Sequence, residues 1–189
     1  NLFFEDLNLK IKRGSHTIVT GPNGSGKSTL LGIISGALKP LSGNINLNTD
    51  KVSYVGVKPL IVDGTIRENL IYGNTKEVTD KEILDKVNLF NLFNEQHIVD
   101  LDQIIDNQSL SSGQFQKIAY IRAILAETEL LILDESMSNL DEESKKLILD
   151  ILSDLNITII NSTHNFNDIQ FNSRLKIQVE NYKRVIISE

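Results

Sequence analysis

Three short stretches carry residue types whose spacing could do chemistry. The first is Gly21-Pro22-Asn23-Gly24-Ser25-Gly26-Lys27-Ser28-Thr29. It follows the β-like run His16–Thr20 and leads into the helix-like run Leu30–Ile34, so it reads as strand, glycine-rich loop, helix. Glycines let a backbone approach phosphate oxygens and aim its N–H groups at them, and a helix start adds the positive end of its dipole. Lys27 would reach the β- and γ-phosphates, and the Ser28 hydroxyl would hold Mg²⁺. The plainer alternative is a flexible turn. The flanks, together with Gly21, Gly26, Lys27 and Ser28 in register, favour a nucleoside triphosphate site.

The second stretch is Leu130-Leu131-Ile132-Leu133-Asp134-Glu135, an apolar strand ending in two carboxylates. Burial on both faces of a sheet explains the apolar run. Asp134 would then emerge beside the phosphate loop and hold Mg²⁺ through water, and Glu135 is the candidate general base for an attacking water. Taken alone, the pair could be a solvated acidic turn. The third stretch, Leu110-Ser111-Ser112-Gly113-Gln114, begins a helix. Local reasoning makes Ser111 or Ser112 an N-cap. The functional alternative is a second anion site, with hydroxyls and free N–H groups facing a phosphate.

Around these stretches the patterning predicts the elements that position them. Leu7, Leu9 and Ile11 alternate with polar residues, which predicts a strand over 3–12. Arg13-Gly14-Ser15 is a turn, 16–20 a central strand, 28–37 a helix, and Lys39–Gly43 a break. Asn44–Leu47 and Val52–Val55 are strand-like, and 56–69 is irregular. Thr79-Asp80-Lys81-Glu82 is a capping box opening a helix to about residue 93. Residues 94–109 are polar and carry no clear pattern. A helix over 112–126 has Phe115, Ile118, Ala119 and Arg122/Leu125 on one face. Residues 141–155 form a helix striped by Ile148, Ile151, Leu152 and Leu155; Ile157–Asn161 is a strand; 174–179 and 182–188 close a hairpin around Glu180-Asn181. This order gives an α/β fold with a central, mostly parallel sheet and extra antiparallel strands, the phosphate loop lying where such sheets bind ligands.

The chain has 189 residues, enough for one domain with a full core. A net charge of −6 argues against a general nucleic-acid surface, and no nucleic acid partner is expected. Without cysteine there is no disulfide framework or thiol chemistry. No apolar run reaches the roughly 20 residues of a membrane span. The chain starts at Asn1 and its one methionine is Met137, so it reads as a piece of a longer protein.

The whole set resembles the ATP-binding domain of ABC transporters. Gly21–Ser28 is similar to the Walker A motif, Leu131–Glu135 to Walker B with its following glutamate, and Leu110–Gln114 to the LSGGQ signature, with Ser112 in place of the first glycine. Ser138-Asn139-Leu140-Asp141 resembles the D-loop, His164 in Ser162-Thr163-His164-Asn165 matches the switch histidine, and Asp63–Leu70 resembles the segment after the Q-loop in exporters. Order and spacing fit over nearly the whole chain. The resemblance implies a P-loop NTPase fold with a small helical subdomain over about 70–126 inside one ABC-type domain. It also implies ATP and Mg²⁺ as ligands, with catalytic Glu135 and His164, and His164 orienting Glu135 and the water. Ser111, Ser112, Gly113 and Gln114 would touch ATP held by a second such domain in a head-to-tail homo- or heterodimer. Ser138 and Asp141 belong to the same interface motif. Membrane-spanning transporter domains are the implied partners, at the cytoplasmic face of a membrane.

The sequence also departs from the family. Alignment of Tyr54-Val55 and Pro59 puts Val57 at the Q-loop glutamine, and valine can neither coordinate Mg²⁺ nor orient water. The adenine-stacking aromatic of the family belongs upstream of Asn1, and Phe3 and Phe4 are read as core. The stretch between Asn69 and Leu110 is short for an exporter helical subdomain, and the family's C-terminal helical elements are missing after Glu189. Two other readings stand beside the transporter: a soluble ABC-type ATPase acting on DNA, chromosomes or ribosomes, and a poorly hydrolysing ATP switch, which Val57 motivates.

Overall fold

The computed structural model describes residues 4–93, 99–106, 108–164, 169–180 and 183–189. The chain divides into two compact units, the first formed by Asn1–Tyr54, Glu129–Glu135 and Asn156–Glu189, the second by Val55–Thr128 and Ser136–Leu155.

The first unit is built on a six-stranded sheet of β1 (His16–Thr20), β2 (Val52–Val55), β5 (Leu130–Asp134), β6 (Thr158–Ser162), β7 (Ser173–Glu180) and β8 (Lys183–Ser188), in the order β2-β5-β6-β1-β7-β8. β1 pairs in parallel with β6 and β7, β5 pairs in parallel with β6, and β7 pairs antiparallel with β8. The interior strands explain the apolar runs, since all five residues of β5 and of β6 are buried. α1 (Lys27–Ile34) lays Leu30 and Leu31 into a core with Val19, Leu130, Ile132, Ile160, Leu175 and Ile177. Each such side chain contributes about 1.5–3 kcal/mol by leaving water. Register aligns Asp134 with Ser162 and Ser162 with Val19, so β5, β6 and β1 end at one level. That common edge positions the candidate site.

The second unit holds α2 (Ile66–Ile71), α3 (Asp80–Leu89), α4 (Ser112–Leu125), α5 (Glu142–Ser153) and a two-stranded antiparallel pair, β3 (Gly64–Thr65) with β4 (Ile104–Ile105). Its core stacks Phe90 on Tyr120, ring centroids 6.4 Å apart, and the buried Tyr120 hydroxyl lies 2.6 Å from Ser136 Oγ.

Several expectations fail for physical reasons. Residues 4–12 and 44–47 form no strand, the first bending at residues 5–6 with Asp6 at φ 51°, because a strand needs a hydrogen-bonding neighbour and alternation alone does not supply one. The alternation is used for packing instead: Phe4, Leu9 and Ile11 lie against the core, while Ile45 and Leu47 stay exposed. Phe3 lies outside the described residues. α1 stops at Ile34 rather than 37, followed by Gly36 at φ 80°, where a left-handed residue ends the turn. The segment 56–69 is not wholly irregular: α2 opens at Ile66, with a Thr65–Glu68 capping box written in the sequence as T-x-x-E. The Thr79–Glu82 box opens α3 as expected, but α3 ends at Leu89, before Asn91 at φ 46°. Within 94–109, β4 forms, and 94–98 and 107 lie outside the described residues. α4 is buried on most sides rather than on one face, and Phe115 is only half-buried. α5 runs from Glu142 with Asp141 as cap, and ends at Ser153, short of Leu155. β6 is shifted one residue from the expected strand. The β7–β8 hairpin is present, its turn at Asn181 outside the described residues.

Candidate active site

β1 delivers the chain to the phosphate loop. Gly21 sits where nothing larger fits: a Cβ there would lie 2.8 Å from the Ile177 carbonyl oxygen and 2.8 Å from Ser25 Oγ. Gly26 takes φ 101° as the residue before α1, a left-handed conformation that favours glycine. No side chain caps α1, and no acidic residue stands in its first turn. Its first N–H groups and dipole end are therefore left for an external anion. Lys27 is only 6% exposed, and its Nζ donates to the Gly21 and Pro22 carbonyl oxygens at 3.0 and 3.4 Å. The ammonium is thereby held over the loop. Ser25 Oγ is buried with no partner. Pro22, Asn23, Gly24 and Ser28 are exposed, and Thr29 is half-buried.

β5 ends in the carboxylates. Asp134 Oδ2 accepts a hydrogen bond from the Tyr54 hydroxyl at 2.7 Å, while Asp134 Oδ1 is buried without a partner. Burial first, and then Asp134, push the Tyr54 phenol above its ordinary pKa. Glu135 turns off the strand at φ 51°, its N–H donating to Ser162 O at 2.9 Å. This turn brings one oxygen, Oε1, to 2.9 Å from His164 Nε2 and 3.9 Å from Lys27 Nζ. Lys27, Glu135 and His164 thus converge from three separate stretches of chain; Asn165 lies outside the described residues. β5 and β1 are two strands apart, about 10 Å.

These groups suit a magnesium–nucleotide. Among the described residues no three His, Asp or Glu side chains gather as a metal set. Mg²⁺ characteristically keeps water and phosphate oxygens and takes one or two protein oxygens, the kind of donor that Ser28 and the unpartnered Asp134 Oδ1 could supply. Lys27 and the uncapped α1 start match phosphate charge.

The signature-like stretch lies in the second unit. Of the two serines, Ser111 is the cap of α4: its Oγ accepts from Gln114 N at 3.2 Å, and Gln114 Oε1 accepts from Ser111 N at 2.9 Å. Ser111 and Ser112 are exposed; Gly113 and Gln114 are half-buried. A Cβ on Gly113 would sit 3.8 Å from Asn139 O, so this stretch neighbours the D-loop-like segment. There Asp141 caps α5, accepting from Ser144 N at 2.8 Å and from Ser144 Oγ at 3.1 Å, and these bonds hold its carboxyl below the usual range. Ser138 is exposed. Asn139 Nδ2 donates to the Val57 carbonyl at 3.1 Å, and the Val57 side chain is 37% exposed.

Sequence reasoning missed Tyr54. Its hydroxyl is a signal only once β2 is known to lie beside β5.

The sequence model of the family described as "ABC transporter" matches residues 4–138. The chain is 34% identical to the ATP-dependent permease MDL1 of Candida albicans, over 91% of this chain and 28% of that protein. It is 34% identical to the lactococcin-A transport/processing ATP-binding protein LcnC of Lactococcus lactis, over 90% of this chain and 26% of that protein. It is 32% identical to ABC transporter B family member 17 of Arabidopsis thaliana, over 89% of this chain and 15% of that protein. The fold matches a bacterial Atm1-family ABC exporter solved with ATP bound, at TM-score 0.84 and 20% identity, covering 97% of this chain and 35% of that one. The chain therefore spans about a third or less of the length of each of these proteins.

Proposed function

The chain belongs to the ABC transporter family, and from that premise we propose that it binds and hydrolyses ATP to drive an exporter-type transporter. The observation that carries the reading is the meeting of Lys27 and His164 on one oxygen of Glu135, at 3.9 and 2.9 Å, beside a phosphate loop whose helix is uncapped.

The residues then divide the work. Backbone N–H groups of Gly21–Ser28, helped by α1, cradle the phosphates, and Lys27 neutralises the β- and γ-oxygens. Ser28 and, through water, Asp134 would hold Mg²⁺, which would supply neutralisation of phosphate charge. Glu135 accepts a proton from water as the water oxygen bonds to the γ-phosphorus, and the bond from that phosphorus to the bridging oxygen breaks. His164 holds Glu135 and the γ-phosphate in register. Ser111, Ser112, Gly113 and Gln114 close on ATP bound by a second ABC domain, with Ser138 and Asp141 in the same interface. ATP thereby joins two domains, and hydrolysis parts them, because the γ-phosphate contacts are lost with the phosphate. Membrane-spanning domains, in the same chain or another, turn this cycle into transport at the cytoplasmic face. The relatives named as a permease and as a transport/processing protein support that reading. Val57 lowers the expected hydrolysis rate, since no side-chain amide stands at that position to orient water.

The test is Glu135→Gln, which keeps the shape and removes the base. Hydrolysis should fall by about 10²–10⁴-fold, with ATP and Mg²⁺ producing a dimer on a sizing column. A monomer under those conditions, or unchanged turnover, would sink the proposal.

A further inference from the structure

The role proposed for Asp134 requires that one carboxylate oxygen be presented consistently to a hydrated cation. The two oxygens of Asp134 differ sharply in their surroundings. Oδ2 accepts the Tyr54 hydroxyl at 2.7 Å, and Oδ1 is buried with no partner at all. Asp134 as a whole is 7% exposed. A buried carboxylate oxygen without a donor is costly, and it persists where a ligand satisfies it.

The second side-chain torsion of an aspartate is broad and roughly two-fold, so a free carboxylate exchanges its oxygens readily. A hydroxyl donating to an ionised oxygen is a strong, short contact that ends that exchange. Tyr54 is well built for the task, because it sits on β2, the sheet neighbour of β5, and not on a loop.

We propose that Tyr54 is a positioning residue for Asp134: its hydroxyl holds Oδ2 and leaves Oδ1 as the oxygen available to the water shell of a nucleotide-bound Mg²⁺. This inference rests on the magnesium–nucleotide reading above. It adds to the site a residue from β2, three positions before Val57, where the resemblance places a glutamine that this chain lacks.

Tyr54→Phe removes the hydroxyl and keeps the ring. The test uses the full chain, Mn²⁺ as the metal probe and a non-hydrolysable ATP analogue. Electron paramagnetic resonance reads Mn²⁺ affinity in the protein–nucleotide complex, and calorimetry reads analogue binding in EDTA. Mn²⁺ binding should weaken on the order of tenfold, as for other groups that orient a metal-holding carboxylate. Metal-free analogue binding should stay within about twofold, since the hydroxyl does not meet phosphate. Adding Tyr54→Phe to Asp134→Asn should cause no further loss of Mn²⁺ affinity. If Asp134→Asn weakens Mn²⁺ binding but Tyr54→Phe leaves it unchanged, the positioning role is overturned and the magnesium reading survives. A lower melting temperature with unchanged Mn²⁺ affinity also overturns it, assigning the bond to strand pairing alone. If Asp134→Asn has no effect, the magnesium reading fails and this inference falls with it.

Discussion

The starts of α1 and α4 solve the same problem in opposite ways. Every helix begins with N–H groups that have no partner inside the helix. α4 satisfies part of its own start: Ser111 Oγ accepts from Gln114 N at 3.2 Å, and Gln114 Oε1 accepts from Ser111 N at 2.9 Å. α1 does not, having Gly26 as cap, no side-chain bond and no acid in its first turn. The open start follows a buried strand and carries Lys27 over the loop; the closed start presents exposed serines. The difference bears on which start is open to an external anion. An uncapped helix beside a buried lysine gains most from a bound phosphate, whereas a boxed helix is already stable and can meet one only as a second contact. That fits a proposed division in which α1 binds ATP in its own domain and α4 completes the site of another.

The contrast can be broken from the open side first. Lys27→Ala should raise the ATP dissociation constant by about 100-fold or more, the loss of a charge-assisted contact of about 3 kcal/mol. Unchanged calorimetric binding would remove Lys27 from the site and with it the distinction between the two helix starts. On the closed side, Ser111→Ala should cost about 1 kcal/mol of stability in urea unfolding, while ATP binding to the monomer stays as it was. If ATP binding by the monomer falls with it, the two starts are not separate in role. The smallest effect is expected at Val57→Gln. Steady-state hydrolysis should rise by about twofold to tenfold if a missing polar group there slows the reaction. An unchanged rate would show that this position does not limit turnover.

Much of the site was legible because its chemistry is written in contiguous residues. The loop Gly21–Thr29, the pair Asp134-Glu135, the serine cap at Ser111 or Ser112 and the capping box at Thr79 depend on local spacing, and local spacing survives folding. The alternations over 3–12 and 44–47 were misleading for the converse reason: a strand exists only with a neighbour, and pairing is non-local. The box at Thr65 is equally local, although the glycines and proline around it give the stretch 56–69 an irregular pattern. Burial around α4 was misjudged because it depends on what surrounds a helix, while periodicity records only which residues could face inward.

The sequence by itself determined the kinds of group available, their order along the chain and their likeness to ABC transporters. Tertiary structure alone decided which atoms meet. Parallel pairing of β5, β6 and β1 sets their ends at one level. The left-handed turn at Glu135 aims one oxygen at both Lys27 and His164. The placing of β2 beside β5 gives Asp134 a hydroxyl partner 80 residues away in sequence. No spacing rule predicts such a contact, because it depends on strand order, which is fixed by how the whole sheet buries its apolar faces.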